Sequence, residues 1–169
     1  MRNYLIIFLF ITGSIFSQNI DALKKQALKD ARATSQASID RNLSNILKYT
    51  HPKIIKKYGE EELMSAMDEI FRTMDAQNIT IKNSVVEEVT DIKKENKEYR
   101  CLVKNTVNMD FNGRTIIIKS SLFGFYDKKK KQWHFVESNK LLDDPETKDI
   151  FKDFKTDIEI PIDEQIADN

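Results

Sequence analysis

At 169 residues the chain is long enough to bury the core of one domain, and its 27 basic and 27 acidic side chains cancel, which excludes a net long-range pull on nucleic acid or acidic lipid. A single cysteine, Cys101, excludes an intrachain disulfide. Glycines only at 13, 59, 113 and 124 exclude a glycine-rich phosphate loop.

The chain opens with a short positive segment, Met1 to Asn3, then an unbroken apolar run from Tyr4 to Ile11, breakers at Gly13 and Ser14, and the small Ser17 before Gln18. That order predicts a secretory signal peptide over residues 1–17, cleaved between Ser17 and Gln18. The apolar run is about half the ~20 residues that a membrane-spanning helix needs, so no permanent membrane span is expected. With no cysteine at the cleavage point to carry a lipid, the expected product is a soluble periplasmic or secreted protein, one domain over 18–156 and an acidic tail over 157–169.

From Asp21 to Tyr49 there is no proline or glycine, and apolar residues recur at Leu23, Ala27, Ala31, Ile39, Leu43, Ile46 and Leu47. The spacing of three and four predicts one long helix, weakest at Ala33 to Ala37, where a bend is expected. His51-Pro52 stops it, because the residue before proline is driven from helical geometry while proline suits the first position of a new helix. Lys53 to Tyr58 forms that short helix, ended by Gly59, and Glu60 to Ala76 a third with Leu63, Met67, Ile70 and Met74 along one face.

Near Asn78 the period changes to two. A strand runs to Ile92 with an irregularity at Asn83 and Ser84. The cleanest strand then places Tyr99, Cys101, Val103, Val107, Met109 and Phe111 on one face. Asn112-Gly113 between alternating runs is the strongest short-range hairpin signal and pairs that strand with Thr115 to Tyr126. A second hairpin turns at Asp127 to Lys131 and returns through Val136. Asp144-Pro145 opens a last short helix to Phe154, followed by a tail whose Ile158, Ile160 and Ile162 suit an edge segment and whose last half-dozen residues are expected to fray. The class is α+β: N-terminal helices on a curved antiparallel sheet of at least four strands, then a short C-terminal helix and tail.

Residues able to carry chemistry are few. His51 and His134 lack the spacing and cysteine company of a metal pair. No metal or other cofactor is implied. Glu60, Glu61 and Glu62 suit a helix N-terminus. Glu87 and Glu88 lie on opposite strand faces unless the strand is bulged there. Cys101 falls on an apolar face as an inert thiol. Lys128 to Lys131 reads as a solvated turn without the interleaved aromatics of a nucleic-acid site. Asn105 and Ser120 interrupt otherwise apolar faces of paired strands, so they either bond each other or the backbone, or line a ligand pocket. In the strand from Thr115, Ile117, Phe123 and Phe125 oppose Ile116, Ile118 and Leu122. Both sheet faces therefore need a cover, from the C-terminal helix and tail or from a second copy as a homodimer.

Helices first, the stretch His51-Pro52-Lys53-Ile54-Ile55-Lys56-Lys57-Tyr58-Gly59, and long hairpins ending in Trp133-His134-Phe135-Val136-Glu137 together resemble the nuclear-transport-factor-two-like superfamily, most of all its exported members from Bacteroidetes bacteria. The resemblance spans Asp21 to Ser138. It implies a cone-shaped fold with a pocket at its open end, often dimerised through the sheet, that serves as an isomerase, a hydrolase or a binding module. No catalytic motif of an enzymatic branch maps onto the chain. The expected function is a noncatalytic module of the cell envelope that holds a small apolar ligand or docks a protein. The alternative is an enzyme of isomerase or hydrolase type with His51, Tyr58 or Asp110 as acid or base in the cone, and a third class is an inhibitor or immunity-type protein acting through the sheet.

Overall fold

A computed structural model of the chain describes residues 4–90 and 92–167, with side chains from residue 19 onward. The side chains of the expected signal segment, including the junction at Ser17 and Gln18, lie outside the described residues. In chain order the elements are α1 (Tyr4–Ile39), α2 (Leu43–Tyr49), α3 (Pro52–Tyr58), α4 (Glu60–Ala76), β1 (Ile79–Val89), β2 (Lys93–Glu95), β3 (Glu98–Phe111), β4 (Arg114–Asp127), β5 (Gln132–Glu137), α5 (Ser138–Asp143), α6 (Pro145–Ile150) and β6 (Glu164–Ala167). Among the described residues no helix is long and apolar enough to cross a membrane.

The α+β class stands: N-terminal helices pack on a six-stranded antiparallel sheet, with a short C-terminal helix and tail. The helix expected to continue to Tyr49 is instead broken after Ile39. The break lies beyond the weak stretch Ala33 to Ala37, which stays helical around the buried Ser35 and Ala37. Arg41 takes φ +53, and Asn42 restarts the helix by accepting the Asn45 amide at 3.1 Å. Arg41 also grips the Asp75 carboxylate of α4 with both guanidinium nitrogens, at 2.7 and 2.6 Å. The boundary at His51-Pro52 is as expected, with the His51 ring capping α3 and Gly59 ending it at φ +87.

The sheet is ordered β1-β3-β4-β5, with β2 beside β3 and β6 beside β4. Strands β3 and β4 are 14 residues each and meet at Asn112 and Gly113, whose φ values of +52 and +83 are those of the tight turn that matches strand twist. Strand β1 shifts register between Ile81 and Asn83, as expected, and again between Val86 and Glu88. The tail does not fray where expected: Gln165, Ile166 and Ala167 pair with Ile118, Ile117 and Ile116.

Two apolar layers flank the sheet. On one face Leu23, Ala27 and Ala31 of α1, spaced four residues apart, press on Cys101, Val103, Trp133 and Phe135. On the other, Leu102, Phe123, Phe125 and Val136 are covered by Leu141, Phe151, Ile158 and the partly buried Ile54, Ile150 and Phe154. The second cover for β4 at Phe123 and Phe125 thus comes from the same chain, and Phe123 is fully buried.

Gly124 is where the helix-side layer leaves no room. A Cβ there would stand 2.9 Å from Cys101 Sγ, 3.1 Å from Trp133 Cε3 and 3.2 Å from Phe135 Cε1. Gly124→Ala should therefore cost about 1–3 kcal/mol of stability through overpacking. Gly113→Val, at an open turn where only positive φ is at stake, should cost about 1 kcal/mol. Urea unfolding of both variants checks the pair, and an unshifted midpoint for Gly124→Ala would show that the layer yields there.

Candidate functional site

Past Ala31 the stripe of α1 changes from apolar to hydroxylated, and so does the strand surface below it. Thr34, Ser35 and Ser38 follow on the helix. On the sheet, Ser84 of β1, Asn105 of β3 and Ser120 of β4 replace the large residues that fill the layer around Trp133. Small side chains on both sides of a layer leave volume. The result is a cavity of about 570 Å³, walled otherwise by Ile39, Ile46, Tyr49, Ile81, Val107, Ile118, Leu122 and Phe135.

Asn105 and Ser120, singled out from the sequence as polar residues on apolar faces, are direct partners across β3 and β4. Both line the cavity. Asn105 is 8% exposed, and its Oδ1 accepts from Ser84 Oγ at 2.9 Å. Ser121, the next residue on β4, shares a 2.7 Å hydroxyl bond with Ser138, and Ser138 donates to the Ser121 carbonyl at 2.8 Å. This pair anchors the start of α5 to the cavity wall.

Charge enters the cavity lining through Glu137, Lys140 and Asp163, none of which sequence reading had marked. Lys140 Nζ lies 3.0 Å from Glu137 Oε2. Asp163 is an exposed residue at the cavity, where partial desolvation, and then the negative charge of Glu137, raise its carboxyl above its ordinary value, against hydrogen bonds from Asn139 and the Ser121 backbone. Asp163 belongs to the tail, and no local pattern in the sequence could have placed it beside Glu137.

The other expected residues have posts elsewhere. His51 Nδ1 accepts the Lys53 amide at 3.1 Å, and its ring sits edge-on to Phe125 and Phe151 at 4.7 and 4.9 Å. Tyr58 donates its hydroxyl to Glu146 Oε2 at 2.8 Å, tying α3 to α6. Asp110 closes the β3–β4 turn by accepting the Gly113 amide at 3.0 Å. None of the three lines the cavity. His134 is buried, with Nδ1 3.1 Å from the Thr50 carbonyl; that contact requires the proton on Nδ1 and leaves Nε2 a buried acceptor without a partner. Burial pushes the Cys101 thiol far up, in keeping with an inert core residue. The bulge after Val86 puts both Glu87 and Glu88 against one face of β3, where they meet Thr106 and Lys104 as exposed surface pairs. Among the described residues, no group of three or more histidine, cysteine or carboxylate side chains could hold a metal ion.

Compared with known proteins, the chain matches no family model, and no curated protein is similar to it.

The two histidines sit on the face opposite the helix layer, in the interface between α3, β5 and the C-terminal segment. Burial above all, then the charges of His134, Lys53 and Arg100, hold the His51 pKa down at about 3, and His134 is lowered chiefly by burial. A base with a depressed folded pKa takes up protons on unfolding, so its contribution is fully present above the unfolded value near 6.5 and is lost as pH falls toward 3. Stability should therefore drop between pH 7 and pH 5 with a slope approaching about 1.4 kcal/mol per unit. His51→Asn keeps a helix-capping side chain without the titration, so urea unfolding of that variant should show a visibly flatter pH dependence.

Proposed function

We propose that the chain is an exported, noncatalytic binding module whose cavity takes a small uncharged molecule, largely apolar and carrying a hydroxyl or carbonyl group. One observation carries this reading: a cavity of about 570 Å³ in which apolar walls surround a band of Ser35, Ser84, Asn105 and Ser120. Volumes of this size suit drug-sized ligands, and a few convergent polar groups among apolar ones fix orientation. The engagement of His51, Tyr58 and Asp110 in capping and bridging bonds supports a binding role over catalysis by those residues. The α+β order of elements and the cavity are compatible with a place in the nuclear-transport-factor-two-like superfamily, which we propose on the sequence resemblance. Export rests on the order of charge, apolar run and small residue in the first 17 positions.

A second reading has one observation behind it. The raised carboxyl of Asp163 at the cavity is the kind of group that an acid catalyst requires, so an isomerase or hydrolase would act through it.

The neutral fluorophore N-phenyl-1-naphthylamine tests the binding reading directly. Fluorescence enhancement should saturate with a Kd on the order of 10 μM. Ser120→Leu fills the cavity from the sheet and should weaken binding at least about tenfold with an unchanged or raised unfolding midpoint, since a void is replaced by packed side chain. Asp163→Asn should leave the probe affinity intact. Binding that ignores Ser120→Leu would place the probe elsewhere and remove the support for the cavity as the site.

A further inference from the structure

We propose that the end of the sheet formed by the β2–β3 and β4–β5 turns is a docking surface for an anionic phospholipid membrane. The sequence shows only one basic run, Lys128 to Lys131. The fold adds a second beside it. Because Arg100 pairs with Phe125 and Asp127 with Gln132, the turn carrying Lys93, Lys94 and Lys97 lies against the β4–β5 turn, and Lys128 Nζ donates to the Lys97 carbonyl at 3.4 Å. All seven lysines are exposed.

The acids of these turns are occupied. Glu95 and Glu98 hold the buried guanidinium of Arg100, and the Asp127 carboxylate accepts the amides of Lys129 and Lys130 at 2.8 and 3.2 Å. Among the described residues, none of the seven lysines at this end makes an ion pair with a carboxylate. Other lysines, such as Lys25, Lys48 and Lys56, also stand without an ion pair among the described residues, but they are spread over separate elements. A chain with no net charge thus gathers seven exposed lysines on two adjacent turns, which orients it within a Debye length of about 8 Å of an acidic surface.

The occupant follows from shape. The lysines stand on two turn tips, so the front is spread out, and the hollow that Lys93 borders also carries Glu159, which opposes a discrete anion there. A plane of headgroups matches such a front. Tyr99 and Tyr126 stand side by side at its base with ring centres 6.4 Å apart, Lys128 lying over Tyr99, and tyrosine suits the headgroup layer.

Flotation of the full chain with vesicles of phosphatidylcholine, with and without about 30% phosphatidylglycerol, tests this at about 50 mM salt. The basic start of the chain, Arg2 included, also favours anionic vesicles, so the contribution of the lysines is read from the difference between the full chain and its lysine variants. The anionic vesicles should bind preferentially, and high salt should abolish the preference. At about fivefold per lysine lost, Lys97→Glu with Lys129→Glu and Lys130→Glu should lower anionic partitioning at least about 100-fold. Unchanged circular dichroism confirms folding of that triple variant, and Lys94→Gln with Lys131→Gln repeats the loss on a smaller scale if it does not fold. Reversal at the far end, Lys82→Glu with Arg114→Glu, should leave the preference intact. Equal binding to both vesicle types, an unaffected triple variant, or retention on single-stranded DNA without vesicle binding would each overturn the proposal.

Discussion

Trp133 fixes α1 to the edge of the sheet. Its indole Nε1 donates to the Leu23 carbonyl at 3.1 Å, and its backbone amide donates to Asp30 Oδ2 at 2.9 Å, while Gln26 holds the other carboxylate oxygen. An edge strand exposes unpaired backbone groups that would recruit another chain or cost free energy if buried unmet. Here the Trp133 amide goes to a buried carboxylate, and the Phe135 carbonyl accepts the His51 amide at 3.2 Å. The edge is thereby closed by α1 on one side and by the residue before α3 on the other. Once α1 is held at Leu23 and Asp30, its next turns carry Thr34, Ser35 and Ser38 over the middle of the sheet at a set height.

That height makes the cavity. Around Trp133 the layer is filled by aromatic rings and needs Gly124 to fit. Two turns further along the helix, serines on both sides leave the space open. Leucine or isoleucine at Ser84 or Ser120 would fill it and add hydrophobic stabilisation, so the polar lining is a departure from what stability alone would select. The hydroxyls and the amide of Asn105 keep a polar surface available inside an apolar chamber, the condition for orienting a guest.

The opposite face is built on a different balance. Arg100 is buried with Glu95 and Glu98, donates to the Lys155 carbonyl at 2.7 Å, and lies over the rings of Phe125 and Phe154 at 5.4 and 5.5 Å. Burying these ions costs desolvation that their attraction barely offsets, but the geometry admits one placement of the C-terminal segment. The segment then covers Phe123 and Phe125, sends Asp163 to the cavity, and returns as β6 to the part of β4 that β5 is too short to reach. Pairing of β6 with β4 also uses strand edge that would otherwise be open.

Local pattern alone determined the α+β class, the stop at His51-Pro52, the Asn112-Gly113 hairpin and the oddity of Asn105 and Ser120, because helix period, proline and glycine stereochemistry and strand parity act over a few residues. The break at Arg41 and Asn42 was missed because the apolar spacing runs through it; the Asn42 cap is a local signal, and the contact of Arg41 with Asp75 is one that only the fold brings together. The short strands β2 and β6 carry too few residues to show a period. Tertiary structure alone decided that Asn105 and Ser120 sit side by side in the wall of a cavity, that Asp163 joins them, and that His51 serves as a cap among aromatic rings. Those outcomes rest on strand register and on a tail that returns to the sheet, and contacts between residues far apart in the chain leave no mark in the spacing of either partner.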